Sequence, residues 1–344
     1  MLILNDLHLS CNRSGGTTPQ SQQALRDYLR ESLANLLAKY EGEHVVVNGD
    51  LFDGFQVDTA ELIKTYEILA KHKGGLTLVM GNHDASAKAD RVSSFHLLSH
   101  FLNEAMPGSF RMIDHNDGFT EVFNDVYAIS HCMNQALFDL EIEKASAFDG
   151  ANRYLLLHAN FKNGHAEHSD HSLNVNDEQI AALMRAGWHV VFGHEHVGGE
   201  FRSGRVIIVG NNFPRSVSDC IDDPIKNALI IDANGHRYVE TWNADAKYIE
   251  VDWRDLSSLD GYDFIRVTGE ATAIEAAEVI KAISSLRQRS DAMVIGNAVK
   301  VDGQNMITDM ASESIEDVKA FDVVAAIMSE LTPEEAECVK GLLD

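Results

Sequence analysis

Carboxylates and histidines recur in this chain at spacings that suit cation binding. Asp6 and His8 stand two apart in NDLHL, and His194 and His196 stand two apart in GHEH. Between them come Asp50 in NGDLFD, Asn82-His83-Asp84 in GNHD, and His158 at the end of YLLLH. On an extended chain, residues two apart point to the same side, so each pair can present both donors to one ion. Taken singly, each fragment also reads as a polar strand end or a turn. Together, Asp6, His8, Asp50, Asn82, His158, His194 and His196 are candidate ligands that each close an apolar, strand-like run. Asp50 arrives alone and is suited to bridge a second ion. Mixed carboxylate, amide and imidazole donors suit Mn2+, Fe or Zn2+ better than Mg2+ or Ca2+. Two ions that share a ligand are a device for phosphoester hydrolysis. His83 can act as an acid or as a further ligand, with Asp84 to orient its imidazole.

The runs that must deliver these residues read as strands at 1–4, 45–47, 76–80, 153–157 and 189–192. The valines of 45–47 are β-branched and suit a strand buried on both faces of a parallel sheet. Helical periodicity covers 22–40, where Leu25, Leu29, Leu33, Leu36 and Leu37 line one stripe. Further helices are expected at 59–72, 91–104 and 177–185, the last opened by Asn176 as N-cap. This βαβα rhythm predicts an α/β fold with its ligand site at the carboxyl ends of the strands. Residues 110–129 read as short strands that continue a second sheet, and a hairpin turn is expected at Asn234-Gly235. His131 and Cys132 take a structural reading. His165, His168 and His171 belong to a polar loop and are left out of the site.

At 344 residues the chain is long enough for one large domain and a smaller one. It holds no run of about 18 apolar residues, so no membrane span is expected. It enters Leu2-Ile3-Leu4 with no basic leader, and Cys11, Cys132, Cys220 and Cys338 lack metal-knuckle spacing. A cytoplasmic, reducing location is the expectation. The formal net charge of −25 opposes binding nucleic acid through the overall field. Two bound divalent cations would restore positive charge at one spot.

Taken in order, DLH, GDLFD, GNHD, His158 and GHEH resemble the five motif blocks of the calcineurin-like metallophosphoesterases, with no ligand replaced. The resemblance implies a two-layer β-sandwich flanked by helices. It implies one metal at Asp6, His8, Asp50 and His196, and a second at Asp50, Asn82, His158 and His194. His83 would then stabilise charge on the phosphate or protonate the leaving oxygen, with Asp84 behind it and Asp53 tuning the site from outside. Gly54 and Phe55 follow Asp53 where the Ser/Thr phosphatases carry Arg, and His83 stands where the lipid A pathway pyrophosphatases carry Arg. GDLFD, GNHD and VGNNFPRSVSD (209–219) are most similar to nuclease subunits of the Mre11/SbcD type. That similarity implies a DNA exonuclease or endonuclease of repair or recombination, using two divalent ions such as Mn2+. It also implies an SMC-like (Rad50/SbcC-type) ATPase partner and a homodimer. A nucleotide or lipid-pyrophosphate phosphodiesterase is the competing enzyme, and a metal-bound scaffold the competing non-enzyme.

On this reading residues 1–243 form the phosphoesterase domain, 244–310 a small α/β capping domain, and 311–344 a helical segment that docks on a partner or folds back. In the cap, strands are expected at 248–253, 264–268 and 292–301, around a helix at 275–289 with Ala277, Ile280, Ile283 and Leu286 on one face. In the tail, Ile315, Val318, Phe321, Val324, Ile327, Met328 and Leu331 form an apolar stripe, and Thr332-Pro333-Glu334-Glu335 restarts a helix.

Overall fold

The computed structural model describes residues 1–301 apart from 14, 18, 86–91, 152, 162–171 and 258. The loop histidines 165, 168 and 171 and the C-terminal helices expected at 311–344 therefore lie outside the described residues.

The chain opens with β1 (Leu2–Leu4), α1 (Pro19–Lys39), β2 (Val45–Asn48), α2 (Thr59–Leu69), β3 (Leu76–Val79), α3 (Ser94–Ala105) and β4 (Phe110–Ile113). It continues through β5 (Thr120–Phe123), β6 (Val126–Ile129), α4 (Gln135–Ala147), β7 (Tyr154–His158), α5 (Asp177–Ala186) and β8 (His189–Gly193). Then come β9 (Gly199–Phe201), β10 (Val206–Ile208), α6 (Val217–Asp222), β11 (Ile225–Asp232) and β12 (Gly235–Asn243). The last described elements are β13 (Tyr248–Asp252), β14 (Phe264–Thr268), β15 (Glu270–Ala271), α7 (Ala276–Arg289), β16 (Val294–Asn297) and β17 (Lys300–Val301).

Two six-stranded sheets face each other, in the orders β12-β11-β1-β2-β3-β4 and β5-β6-β7-β8-β10-β9. The first is parallel from β1 to β4 with antiparallel β11 and β12 at one margin, and the second has a parallel centre with antiparallel β5 and β9 at its two margins. Alternation along the strands builds the layers. Ile3, Val46, Val79, Leu156, Val191 and Ile207 point into the space between the sheets. Leu2, Leu4, Val45, Val47, Leu76 and Leu78 point outward into a cluster with Leu25, Leu29 and Leu33 of α1 and Phe95 and Leu98 of α3. On the far side Leu155, Leu157, Val190 and Phe192 meet Phe138 of α4 and Ile180 of α5. The result is the expected sandwich flanked by helices. Because both faces of the central strands are covered, they read as continuous apolar runs.

Several local expectations change. Residues 110–113 pair with β3 and close the first sheet, so only β5 and β6 start the second. Helix α3 starts after Ser93, whose hydroxyl accepts from the His96 N–H and fixes the first turn there. Helix α2 ends at Leu69, before Gly74 and Gly75. The β11–β12 hairpin turns on Ala233-Asn234, one residue early, with Gly235 entering β12 at φ 113°. The run 292–301 divides into β16 and β17 in different sheets; Asn297 Oδ1 accepts from the Val299 N–H and turns the chain between them. Helix α4 had no counterpart in the sequence reading. Leu137 and Leu140 face outward, 47% and 51% exposed, and blur the apolar stripe made by Phe138, Ile142 and Ala145.

Beyond Tyr248 a parallel β13-β14-β16 sheet packs with α7 around Trp253, Ile265, Val279 and Ile283. Its Phe264, Met293 and Val294 share the buried cluster of α1 and the first sheet, so this unit is seated on the larger body. Among the described residues no helix is long and apolar enough to cross a membrane.

Candidate metal centre

Five strands end at one place. β1, β2 and β3 run parallel in the first sheet, and β7 and β8 run parallel in the second. Their carboxyl ends deliver Asp6 and His8, Asp50, Asn82 to Asp84, His158, and His194 with His196. The turns that follow are held together by main chain. The His8 N–H donates to the Asp50 carbonyl at 3.0 Å, Leu9 to Leu51 at 2.9 Å, and Asp53 to Leu9 at 2.9 Å. The ladder between β1 and β2 thus continues beyond both strands and keeps DLH and GDLFD in register.

The backbone is bent where the side chains are needed. Asp6, His8, Asp50 and His194 all have positive φ, between 43° and 83°. This left-handed region costs a residue with a Cβ about 1–2 kcal/mol. Gly49, at φ 86°, has a different reason: a Cβ there would lie 1.9 Å from His158 Nδ1. The two sheets approach so closely at this point that only a bare backbone fits.

The donor atoms converge on Asp50 Oδ2. It lies 3.3 Å from His158 Nε2, 3.8 Å from His8 Nε2 and 4.0 Å from His83 Nε2. On one side His8 Nε2 and His196 Nε2 are 3.2 Å apart, and Asp6, His8 and His196 form one potential cation group. On the other side Asn82 Oδ1 is 3.0 Å from His158 Nε2 and 3.1 Å from His194 Nδ1, and Asp50, His158 and His194 form a second group. Two imidazole nitrogens 3.2 Å apart, beside two carboxylates that are 1% exposed, are poorly matched to each other and well matched to a cation between them. The residues present fit a pair of divalent ions. All seven sequence-predicted ligands are in this one cluster.

His83 and Asp84 are also here, but not as a pair. Asp84 is buried and accepts from the main-chain N–H groups of Leu51, Phe52 and Gly81, which ties the GNHD turn to the GDLFD turn. The His83 Nδ1 instead meets the Asp53 carbonyl at 3.1 Å, and its own N–H donates to Asp50 Oδ1 at 3.0 Å. The side chains of His83 and His196 are 20% and 25% exposed, against 1% for His8 and Asp50, so the site opens on the His83–His196 side.

Each imidazole has a polar group behind it. Asp53 Oδ1 is 3.2 Å from His8 Nδ1 and also accepts from Arg215 Nη1 at 2.7 Å. Asp219 Oδ1 is 3.6 Å from His196 Nδ1. The Asn48 carbonyl takes His158 Nδ1 at 3.0 Å, and Ser172 Oγ hydrogen-bonds His194 Nε2 at 2.9 Å. Such partners fix the ring orientation of a ligating histidine. Arg215, Asp219, Asn48 and Ser172 had no role assigned from sequence. The signal for Asp219 was available: Ser216-Val217-Ser218-Asp219 is a capping-box pattern, and both capping hydrogen bonds form at the start of α6.

Burial sets the charges. It pushes His8 and His194 down to about 3, with Arg215 and His158 respectively adding to the effect. It raises Asp6 to about 6, and raises Asp84 to about 7 with help from the Asp50 charge. Burial opposes ionisation of Asp50 too, but His158, His83 and His8 outweigh it and hold this carboxyl well below the usual range. Desolvation likewise opposes the charge on His158, yet Asp50 and Asp6 lift it to about 9. Asp53 and Asp219 are held low against burial, Asp53 by His8 and Arg215 and Asp219 by His196 and Arg215.

A family model described as calcineurin-like phosphoesterase matches residues 1–205. No curated protein matches the chain.

Proposed function

Since this chain belongs to the calcineurin-like phosphoesterase family, we propose that it is a two-metal phosphodiesterase that hydrolyses DNA. The observation that carries the phosphodiesterase reading is the convergence of donors from five strand ends on Asp50 Oδ2, with the His83 ring at the open side. Two divalent ions in these positions supply Lewis-acid polarisation of the phosphate and a neutralising charge for the in-line transition state. The first would be held by Asp6, His8, Asp50 and His196, the second by Asp50, Asn82, His158 and His194. Asp50 would serve both ions, and its Oδ1 is kept in place by the His83 N–H.

His83 is the general acid in this scheme. Its Nδ1–H donates to the Asp53 carbonyl, so when protonated it also carries an Nε2–H, 4.0 Å from Asp50 Oδ2 at the donor cluster. A water oxygen bonds to phosphorus and gives one proton to solvent, the bond from phosphorus to the 3′-oxygen breaks, the His83 Nε2 proton passes to that oxygen, and His83 regains a proton from solvent. Asp84 acts at a distance, by holding the main chain on either side of Asp50 and His83.

DNA as substrate, and Mn2+ as the metal, rest on the likeness of GDLFD, GNHD and VGNNFPRSVSD to the Mre11/SbcD-type nuclease subunits. In the same reading residues 244–310 cap the substrate, and 311–344 dock on an SMC-like ATPase. A net charge of −25 favours such a division of labour, in which a partner holds the duplex. Pairing of two copies through α2 and α3 is supported by Ile63, Leu97 and Phe101, exposed by 51%, 40% and 44%. The competing reading is a nucleotide or lipid-pyrophosphate phosphodiesterase. Digestion of linear duplex DNA with Mn2+, with and without the ATPase, separates them. Release of nucleotides that is lost in Asp50→Asn supports the nuclease. Inert DNA alongside rapid hydrolysis of a nucleotide or lipid pyrophosphate sinks it.

A further inference from the structure

The family match ends at residue 205, yet the chain beyond it grips two of the ligands. Arg215 Nη1 donates to Asp53 Oδ1 at 2.7 Å, and that oxygen lies 3.2 Å from His8 Nδ1. Asp219 Oδ2 accepts from the main-chain N–H groups of Arg215 and Ser216 at 2.9 and 3.0 Å, while its Oδ1 lies 3.6 Å from His196 Nδ1. Lys226, on β11, is wholly buried; its Nζ donates to the His196 carbonyl at 3.3 Å and to Asp223 Oδ2 at 3.4 Å. Asp223 Oδ2 also accepts from the Gly198 N–H at 3.2 Å. Four charged residues within one short stretch therefore close on His8 and His196, from the side away from the ions.

We propose that Arg215, Asp219 and Lys226 are positioning residues that preorganise the cation position at Asp6, His8 and His196, and leave the other position to itself. This rests on the two-metal reading above. A burial of this kind demands a use. A fully desolvated lysine and a guanidinium held by a carboxylate are costly to place, and here each ends on a ligand or on the loop that carries one. Among the described residues the second position has no charged equivalent. His158 and His194 lean on neutral oxygens, the Asn48 carbonyl and the Ser172 hydroxyl. Carboxylate partners fix the tautomer of a ligating imidazole and raise its basicity. The clamp therefore acts on one ion of the pair, and its loss is felt there first.

The test is a calorimetric titration of the metal-free full chain with Mn2+. The variants are Asp219→Asn, which removes the charge behind His196, and Arg215→Gln, which releases Asp53. Asn82→Ala identifies the transition that belongs to the second position. Melting of each metal-free variant is measured alongside. The expected result is a weakening on the order of 10- to 100-fold at the first position in both variants, with the second position within error of the parent and each metal-free variant still melting cooperatively, at a lowered temperature where the buried charge loses its partner. Equal weakening at both positions overturns the proposal. So does a lowered melting temperature with both affinities intact, which marks a structural role only. If the parent chain takes up no Mn2+, the two-metal reading itself has failed, a result distinct from either.

Discussion

Binding of the second cation should expel a proton, and that proton should come from His158. In the metal-free chain the charges of Asp50 and Asp6 lift this imidazole to about 9. At pH 8 roughly ten molecules in eleven then carry the proton. A cation can use His158 Nε2 only after that proton leaves, so the apparent affinity is reduced by about tenfold at pH 8 and about a hundredfold at pH 7. His8, His194, Asp6 and Asp84 contribute little near pH 8. His8 and His194, pushed down to about 3, are already neutral, and Asp6, raised to about 6, is already ionised. Asp84, at about 7, is mostly ionised as well. Titration with Mn2+ at pH 8, in buffers of different ionisation enthalpy, should therefore give close to one proton released for two ions bound. All of it should belong to the position lost in Asn82→Ala. Between pH 7.5 and 8.5 the affinity of that position should rise by nearly tenfold. Zero proton release, or an affinity flat across this range, would refute the argument that Asp50 and His158 exist as an ion pair before metal binds.

The metal-free chain carries the same linkage in its stability. The folded value of about 9 lies above the ordinary histidine value of 6.5, so this contribution is complete below pH 6.5 and is lost as pH rises through 9; the melting temperature should fall between pH 7.5 and 9 and stay more level with Mn2+ bound. His83→Ala should reduce phosphodiester turnover by about 100- to 10,000-fold with metal content unchanged by elemental analysis; undiminished turnover would remove His83 from the chemistry. Gly49→Ala places a Cβ 1.9 Å from His158 Nδ1 on a residue at φ 86°, so the folded variant should bind one Mn2+ in place of two. Asp84→Ala orphans three main-chain donors, each worth about 1–3 kcal/mol when buried and unpaired, and chemical denaturation should show a loss of at least ~3 kcal/mol.

The ligands were legible because their strands are buried on both faces. Val45-Val46-Val47 and Tyr154 to Leu157 are unbroken apolar runs, so the first polar residue after each marks a strand end. In a parallel sheet those ends share one edge, and spacing within DLH and GHEH did the rest. The partners behind the ligands were not legible in the same way. Asp53 was placed beside the site by the resemblance alone, Asp219 reaches His196 through space from another segment, and the carbonyl of Asn48 has no side-chain signature at all. His83 and Asp84 show the limit from the other side. Adjacent residues invited a reading as an imidazole and its orienting acid, but neighbours in a turn point apart, and Asp84 spends its oxygens on three main-chain donors. Helix α4 was hidden for a different reason: its outward leucines carry no periodic signal that distinguishes them from its buried face.

The central claim is that a pair of cations sits where five strand ends meet, with Asp50 between them. Anomalous diffraction from crystals soaked in Mn2+ tests it most directly. Two peaks are predicted about 3.5–4 Å apart, one among Asp6, His8 and His196, the other among Asn82, His158 and His194, both touching Asp50. A single peak, or peaks away from Asp50, would contradict it.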